Sequence, residues 1–193
     1  MFFPVSPGKI AIVLADGMGS VEMANFQSNV AIELTKKLLL AGFDKETCVR
    51  LINDILMTNA DKDTFSTIDL CVINLYTGEA EFIKTGSANS YLSLQKNFDT
   101  VCASSLPAGL VQEIDPDISS KYITAGDFLV MATDGITDVL DTEEGNKIFA
   151  ILKDFDGTSQ ELSDMILAQA LALSGGVACD DMTVVACKIL RSA

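Results

Sequence analysis

Ile10-Ala-Ile-Val-Leu-Ala-Asp-Gly-Met-Gly-Ser20 is the stretch around which the chain is organised. Its unbroken apolar run from Ile10 to Ala15 is typical of a strand that is covered on both faces. Asp16 stands where that strand should end, and Gly17 and Gly19 predict a tight turn before a helix. A carboxylate at a strand end, beside a glycine carbonyl, suits a hard cation such as Mg²⁺ or Mn²⁺. Because Asp-Gly is also a common turn sequence, the pattern gains meaning only if other acids recur in the same setting.

The composition predicts a single globular domain over residues 1–193. The chain has 193 residues and 49% of them are hydrophobic, which is enough for a substantial core in one domain. Its longest apolar runs are too short to cross a bilayer, and the first residues lack the basic start and apolar centre of a signal peptide. We therefore expect a soluble, cytoplasmic protein.

Charge and residue usage exclude several classes of function. The net charge is −14, from 13 basic and 27 acidic residues, so nucleic acid and anionic membranes are poor partners. The five cysteines form no close pairs, which predicts reduced thiols rather than a disulfide framework or a zinc knuckle. The chain has no histidine, so Ser-His-Asp and Cys-His chemistry is excluded. Carboxylates, a metal ion or lysine must carry any catalysis.

The order of predicted elements favours a layered α+β fold over a doubly wound one. The pattern predicts two helices, a block of strands, a buried strand, two more helices and a closing strand. The first helix is predicted over 21–41, and Asp44 is predicted to cap the second, which is followed by a loop over 59–64. Strands are predicted over 66–75, 80–85, 91–94, 100–103 and 128–132. Helices then follow over 138–155 and 159–173, and the closing strand over 182–190.

Three acids share one setting. Asp16 and Asp134 each end an apolar strand and precede glycine, and Asp180 comes just before an apolar strand. If these strands share a sheet, the carboxylates converge, and a cation is needed to offset their repulsion and burial. With no histidine present, oxygen-ligated Mg²⁺ or Mn²⁺ fits this set. The alternative is that each acid only caps a turn or a helix, which remains open for any one of them taken alone.

Six motifs, in order, resemble the SpoIIE-type phosphatases, which are bacterial members of the metal-dependent PPM (protein phosphatase 2C-like) serine/threonine phosphatases. The resemblance runs from about Lys9 to the last strand. The motifs are Asp16-Gly-Met-Gly, Phe65-Ser-Thr-Ile-Asp-Leu70, Lys84-Thr-Gly-Ser87, Leu106-Pro-Ala-Gly109, Gly126-Asp-Phe-Leu-Val-Met-Ala-Thr-Asp-Gly135 and Asp180-Asp-Met-Thr-Val-Val185.

The resemblance implies a four-layer α-β-β-α sandwich, with a central antiparallel β-sandwich flanked by helices and a site for two Mn²⁺ or Mg²⁺ ions. By motif match, Asp16 would bridge both ions, the Gly17 carbonyl would bind one, and Asp134 and Asp180 would complete the other shell. Asp181 would orient that shell rather than coordinate directly. A metal-activated water would then hydrolyse phosphoserine or phosphothreonine.

The resemblance also implies a substrate, a phosphorylated STAS-domain protein. Family substrates of this kind are anti-anti-sigma factors of sporulation and stress responses and scaffold proteins of the stressosome. As a stand-alone domain the chain is similar to a stressosome feedback phosphatase, although its motifs are close to those of the sporulation enzyme. We expect a monomer or a weak dimer.

Two departures from the family pattern favour an alternative, a catalytically weak or inactive PPM-fold module that binds the phosphorylated partner. The family has a Gly-Asp motif on an additional strand before Lys9, and we predict that this first strand is missing here. Val21 stands where the family usually has another glycine, and a β-branched residue does not readily adopt a positive φ.

Other polar and sulfur-containing residues have simpler interpretations. Serines without a neighbouring base are expected to be loop residues: Ser87, Ser104 and Ser105. Met18 and Met182 are expected in the core, and Lys84 is expected to be a solvated charge at a strand end. Asp138 is expected to cap a helix, and the acidic run 141–144 is expected to start one in solvent.

Overall fold

The structure is a computed structural model that describes residues 1–59, 65–95, 97–143, 145–178 and 180–190, without the side chains of Val21 and Asn59. Across these residues it contains thirteen strands and five helices in two compact units. The first unit comprises Met1–Ser87 and Cys102–Tyr122, and the second comprises Ala88–Val101 and Ile123–Ala193. The predicted loop over 59–64 lies outside the described residues from residue 60 onward.

The first unit combines a five-stranded antiparallel sheet, in the order β1-β2-β5-β6-β9, with two helices. A separate two-stranded sheet pairs β3 with β4. Its elements are β1 (Phe2–Ser6), β2 (Lys9–Leu14), β3 (Gly17–Met18), α1 (Val21–Leu40), α2 (Lys45–Asn59), β4 (Phe65–Ser66), β5 (Ile68–Asn74), β6 (Glu79–Thr85) and β9 (Asp117–Tyr122).

The core of the first unit lies between α1, α2 and one face of this sheet. Ala11 pairs with Val72 across β2 and β5, and Val13 pairs with Leu70. These four side chains form one buried cluster with residues of both helices, such as Ile52. The alternate residues of the sheet are also buried, as the uninterrupted apolar runs of the central strands predict.

The helices of the first unit confirm the prediction closely. Asp44 caps α2 because its carboxylate accepts a hydrogen bond from the Thr47 N–H at 2.9 Å. The first helix begins at Val21, which is therefore helical and needs no positive φ. None of the helices in the described ranges is long and apolar enough to span a membrane.

A strand lies before Lys9, where the sequence analysis expected none, and that expectation is wrong. In β1, Phe3 is buried in the core and Val5 packs against it. A turn at Gly8, with φ of +73°, returns the chain into β2. The alternating apolar residues of β1 were the available signal, but Pro4 and Pro7 obscured it. The strand contains no acidic residue.

The second unit combines a four-stranded antiparallel sheet, in the order β13-β10-β7-β8, with three helices. A small β11–β12 hairpin separates two of the helices. Its elements are β7 (Ser90–Leu94), β8 (Asn97–Val101), β10 (Phe128–Ala132), α3 (Asp134–Leu140), β11 (Asp141–Thr142), β12 (Gly145–Asn146), α4 (Lys147–Lys153), α5 (Ser159–Leu173) and β13 (Val184–Lys188).

The prediction of one continuous helix over 138–155 is wrong, because a hairpin divides it. The Asp141 carboxylate accepts hydrogen bonds from the Tyr91 hydroxyl at 2.8 Å and from the Asn89 amide at 3.2 Å. Asp141 therefore lies in β11 rather than in a solvent-exposed helix start. After the hairpin, the Asn146 side chain caps α4 by accepting from the Phe149 N–H. In both units, antiparallel sheets combined with helices confirm the predicted α+β class.

Candidate active site

The predicted site residues divide between the two units. Asp16 and Gly17 belong to the first unit, and Asp134, Asp180 and Asp181 belong to the second. We call the segment 14–18, with its hydrogen-bonding partners on 65–69, the Asp16 corner. We call the segments 132–135 and 180–183 the Asp134 corner.

The Asp16 corner holds its acid through the main chain. After β2 ends, the Asp16 N–H donates to the Thr67 hydroxyl at 2.9 Å. The Asp16 carbonyl accepts from the Thr67 N–H at 2.8 Å and from the Ser66 hydroxyl at 3.1 Å. Such main-chain groups are costly to leave unpaired away from water. The Asp16 backbone is therefore held at both its N–H group and its carbonyl group.

Gly17 is required because α1 approaches it closely. A Cβ atom built on Gly17 would lie 2.0 Å from the Ala24 carbonyl oxygen. Real Cβ atoms do not come this near to backbone atoms, so a side chain would force the first turn of α1 away. The glycine predicted from the Asp-Gly turn thus serves a close approach between two backbone segments.

A buried ion pair, which the sequence analysis missed, lies beside the Asp16 corner. The Lys84 ammonium lies 2.6 Å from an Asp69 oxygen, and the side chains are 0% and 2% exposed. Burial lowers the pKa of Lys84, and the Asp69 carboxylate opposes that shift. The expectation that Lys84 is a solvated charge is wrong. The observed register pairs Lys84 with Asp69 across β5 and β6, whereas a two-residue turn at Thr77-Gly78 would have placed Lys84 opposite Cys71, so the turn sequence alone did not indicate this pair.

The Asp134 corner begins where β10 gives way to α3. Thr133 is the N-cap of α3, and Asp134 is its first residue. An Asp134 oxygen accepts from the Gly135 N–H at 2.9 Å. Burial raises the pKa of Asp134, and the negative charges of Asp180 and Asp138 raise it further. Since Asp138 lies inside α3, the prediction that it caps a helix is wrong.

The segment 180–183 is held directly against this helix start. The Thr133 hydroxyl donates to the Asp181 carbonyl at 2.7 Å and accepts from the Thr183 N–H at 2.9 Å. A Cβ atom on Gly135 would lie 2.7 Å from the same Asp181 carbonyl oxygen. Asp180 is thereby brought close enough to Asp134 for its charge to affect the Asp134 pKa.

The donor chemistry of these corners fits a hard divalent cation. All the predicted ligands offer oxygen, which Mg²⁺ and Mn²⁺ prefer. A cation would also offset the burial and, to a lesser extent, the charge of Asp180 that raise the pKa of Asp134. Over the described ranges, no three acidic, cysteine or histidine side chains are already gathered as a metal-binding group. The ligand assignments therefore remain predictions.

The remaining candidates have structural contacts. The Ser104 and Ser105 N–H groups and the Ser104 hydroxyl donate to the Asp117 carboxylate. The Ser105 hydroxyl donates to the Lys84 carbonyl. These contacts agree with the interpretation of both residues as loop serines. Met182 packs against the core of the second unit, as predicted.

Comparison with known proteins identifies the family. The family model for Stage II sporulation protein E (SpoIIE) matches residues 6–190. The chain belongs to the SpoIIE family. It is 33% identical over 185 residues to Stage II sporulation protein E of Bacillus subtilis, covering 94% of this chain and 22% of that protein. It is 30% identical to the protein of the same name from Priestia megaterium, covering 96% of this chain and 32% of that protein.

A solved structure confirms the fold that the SpoIIE-family resemblance implied. The structure of the PP2C phosphatase domain and a fragment of the regulatory domain of SpoIIE from Bacillus subtilis matches with a TM-score of 0.87 at 32% identity. The match covers 98% of this chain and 57% of that one. The chain thus has the fold of PP2C-type phosphatases. It spans about a fifth to a third of the length of its two full-length relatives.

Proposed function

We propose that this chain is a metal-dependent protein phosphatase that hydrolyses phosphoserine or phosphothreonine. The proposal rests on the arrangement of the two carboxylates in the Asp134 corner. There, two carboxylates on segments about 46 residues apart in sequence are held near one another, in a chain that matches a PP2C phosphatase domain over 98% of its length. A purely structural capping role does not require a second carboxylate near enough to raise the pKa of Asp134.

The proposed ligands are those of the motif match. Asp16 and the Gly17 carbonyl would hold Mn²⁺ or Mg²⁺ from the first unit, and Asp134 and Asp180 would do so from the second. Divalent ions held by these oxygens would activate a water and stabilise charge on the phosphoryl group. The protein fixes the backbone of Asp16 through Thr67 and that of the 180–183 segment through Thr133. Asp181 contributes its carbonyl to this scaffold, which supports an orienting role.

The proposed substrate is a phosphorylated STAS-domain protein of a bacterial signalling pathway. The support for this choice is membership of the SpoIIE family, together with two relatives named as sporulation proteins. A cytoplasmic location, with the chain as a monomer or a weak dimer, belongs to the same proposal. Both sporulation and general stress signalling provide substrates of this chemistry.

One observation favours a second candidate, a weakly active or inactive module that binds the phosphorylated partner. No acidic residue occurs between Met1 and Ala15, so β1 and β2 supply no additional carboxylate to a metal site. Fewer acidic ligands weaken the binding of a divalent ion. Such a module would bind the phosphoprotein without turning it over.

Phosphate release separates the two candidates. A phosphorylated STAS-domain protein is incubated with the chain under a titration of Mn²⁺, followed by EDTA. We expect saturable release that EDTA abolishes and that falls at least a hundredfold in Asp16→Asn and in Asp134→Asn. The exposed variants Asp54→Asn and Asp164→Asn, one in each unit, are matched controls and should keep full activity.

The remaining outcomes are equally informative. Stable binding of the phosphoprotein without release at any Mn²⁺ concentration would establish the binding module instead. Metal-dependent release that survives in both site variants would refute the ligand assignment while leaving the phosphatase activity in place.

A further inference from the structure

We propose that Thr133 is a positioning residue that holds the acids of the Asp134 corner in register for metal binding. Thr133 is adjacent to Asp134 in sequence, and its hydroxyl binds the backbone of the residue that follows Asp180. A single side chain thus connects the two segments that carry the proposed ligands of the second unit. The inference rests on the proposed metal-binding role of Asp134 and Asp180.

The Thr133 hydroxyl uses both its donor and its acceptor capacity on the 180–183 segment. It donates to the Asp181 carbonyl at 2.7 Å and accepts from the Thr183 N–H at 2.9 Å. The Thr133 main chain adds a third link, because its N–H donates to the Thr183 carbonyl at 3.1 Å. These bonds continue the β10–β13 ladder, which ends at the pair Ala132 and Val184.

The position of Thr133 at the start of a helix makes this use of its hydroxyl informative. A threonine at an N-cap normally accepts a hydrogen bond from an N–H of the first helical turn. Thr133 occupies the N-cap of α3, but its side chain makes no capping bond. The hydroxyl therefore serves the ligand-bearing segment rather than the helix that it begins.

The site leaves little room for a substitute contact. Thr133 is only 6% exposed, so water has little access to replace a lost hydroxyl. Without the hydroxyl, the Asp181 carbonyl and the Thr183 N–H would each lose a part-buried hydrogen bond, which is unfavourable. The segment would shift to recover hydrogen bonds, which would move Asp180 relative to Asp134. Metal sites are sensitive to such partners of their ligands.

The test is Mn²⁺ binding to the full chain, measured by isothermal titration calorimetry in the absence of substrate. Thr133→Val keeps the shape of the side chain and removes the hydroxyl, and Thr133→Ser keeps the hydroxyl. Thr35→Val is the matched control, because Thr35 is also buried and its hydroxyl donates to the Ala31 carbonyl of its own helix. Thermal unfolding followed by circular dichroism reports the global stability of each variant.

We expect Thr133→Val to weaken Mn²⁺ binding by about 10- to 100-fold, the range found when partners of metal ligands are removed. Thr133→Ser should stay within about threefold of wild type, and Thr35→Val should lower the melting temperature without changing the affinity. If Thr133→Val does not fold, Thr133→Ala removes the same hydroxyl with less bulk, and the same loss is expected.

Other results overturn the inference in distinguishable ways. Equal Mn²⁺ affinity in wild type and Thr133→Val refutes the role of Thr133 and leaves the proposed phosphatase intact. A weak affinity in Thr133→Ser, equal to that of Thr133→Val, shows that the hydroxyl is not the relevant group. Absence of Mn²⁺ binding in wild type refutes the metal-dependent function and, with it, the inference.

Discussion

The Asp16 corner and the Asp134 corner both fix the backbone next to a proposed metal ligand, but they do so through different contacts. In each, a threonine hydroxyl accepts a main-chain N–H at 2.9 Å beside a proposed ligand: Thr67 accepts from Asp16, and Thr133 accepts from Thr183. The Asp16 corner, however, extends a sheet and has the buried Asp69–Lys84 pair beside it. The Asp134 corner also continues a sheet, the β10–β13 ladder, but it lies at a helix start and depends on one hydroxyl that makes two bonds.

This difference predicts which property of the protein, folding stability or metal affinity, depends more on each corner. Disturbing the Asp16 corner should mainly cost folding stability, because its supports are part of the sheet of the first unit. Disturbing the Asp134 corner should mainly cost metal affinity, because a single hydroxyl, with no buried ion pair beside it, holds the segment that carries Asp180. Three predictions test this contrast, and a fourth concerns the loop that donates a hydrogen bond to the Lys84 carbonyl.

The largest expected effect comes from breaking the buried ion pair. Lys84→Met leaves the Asp69 carboxylate buried without its partner, which costs about 3–5 kcal/mol of unfolding free energy in comparable pairs. The double variant Asp69→Leu with Lys84→Met removes both charges and should recover most of that loss. Chemical denaturation followed by circular dichroism suits a chain that has no tryptophan.

The Lys45–Glu81 pair provides the control for this prediction. Its side chains are 24% and 34% exposed, so Lys45→Met should cost less than about 1 kcal/mol. A loss in Lys84→Met no larger than that of Lys45→Met would contradict the view that the buried pair supports the Asp16 corner.

The two close-approach glycines give the next largest effect. In Gly17→Ala the new methyl group would lie 2.0 Å from the Ala24 carbonyl oxygen, whereas in Gly135→Ala it would lie 2.7 Å from that of Asp181. Overpacking of this kind costs about 1–3 kcal/mol, and we expect Gly17→Ala at the upper end. Gly135→Ala should cost less, because the clash is smaller and alanine favours the helix by up to about 1 kcal/mol.

Denaturation of the two variants and Mn²⁺ titration check the contrast together. Gly17→Ala should lose more stability, and Gly135→Ala should lose more Mn²⁺ affinity relative to its stability loss. The opposite order in both measurements would show that the two corners do not differ in the way proposed.

A smaller effect is expected at Thr67, the threonine of the Asp16 corner. Thr67→Val removes the acceptor of the Asp16 N–H, while the Thr67 N–H still donates to the Asp16 carbonyl. Losing one such hydrogen bond costs about 1 kcal/mol. Hydrogen exchange of the Asp16 amide should accelerate in Thr67→Val and return to the wild-type rate in Thr67→Ser. An unchanged exchange rate in Thr67→Val would mean that this hydroxyl does not hold the corner.

The sequence was a good guide to elements whose pattern is uninterrupted. The run Phe128–Ala132 is a buried strand with the predicted bounds, and the helix predicted over 21–41 differs by one residue. In these segments the apolar period and the stop signal agree, so local preference and tertiary packing favour the same structure.

Prediction failed where tertiary contacts override local preference. The hairpin at 141–146 depends on Tyr91 and Asn89, which are about 50 residues away in sequence and bind Asp141. Lys84 was misjudged because a lysine at a strand end is usually solvated, and its burial depends on Asp69 across the hairpin. For the site, the assignment of the acids as metal ligands stays a prediction, and the two hydrogen bonds of the Thr133 hydroxyl to the 180–183 segment are visible only in the structure.

The smallest expected effect is a pH dependence in the loop that follows β8. The Asp117 carboxylate accepts from the Ser104 N–H at 2.7 Å and from the Ser105 N–H at 2.8 Å. Burial alone would raise the pKa of Asp117, but the bonds from Ser105 and Ser104 outweigh it and lower the pKa from 3.8 to about 2. Because the folded pKa is the lower one, the stabilisation is complete above about pH 4 and is lost as the pH falls through about 2.

Amide hydrogen exchange, corrected for the intrinsic rate at each pH, detects this loss at Ser104 and Ser105. In wild type their protection should fall between about pH 4 and pH 2. In Asp117→Asn it should be lower at neutral pH and independent of pH across that window, because no carboxylate remains to be protonated. Protection in wild type that stays constant down to pH 2 would mean that Asp117 does not hold this loop.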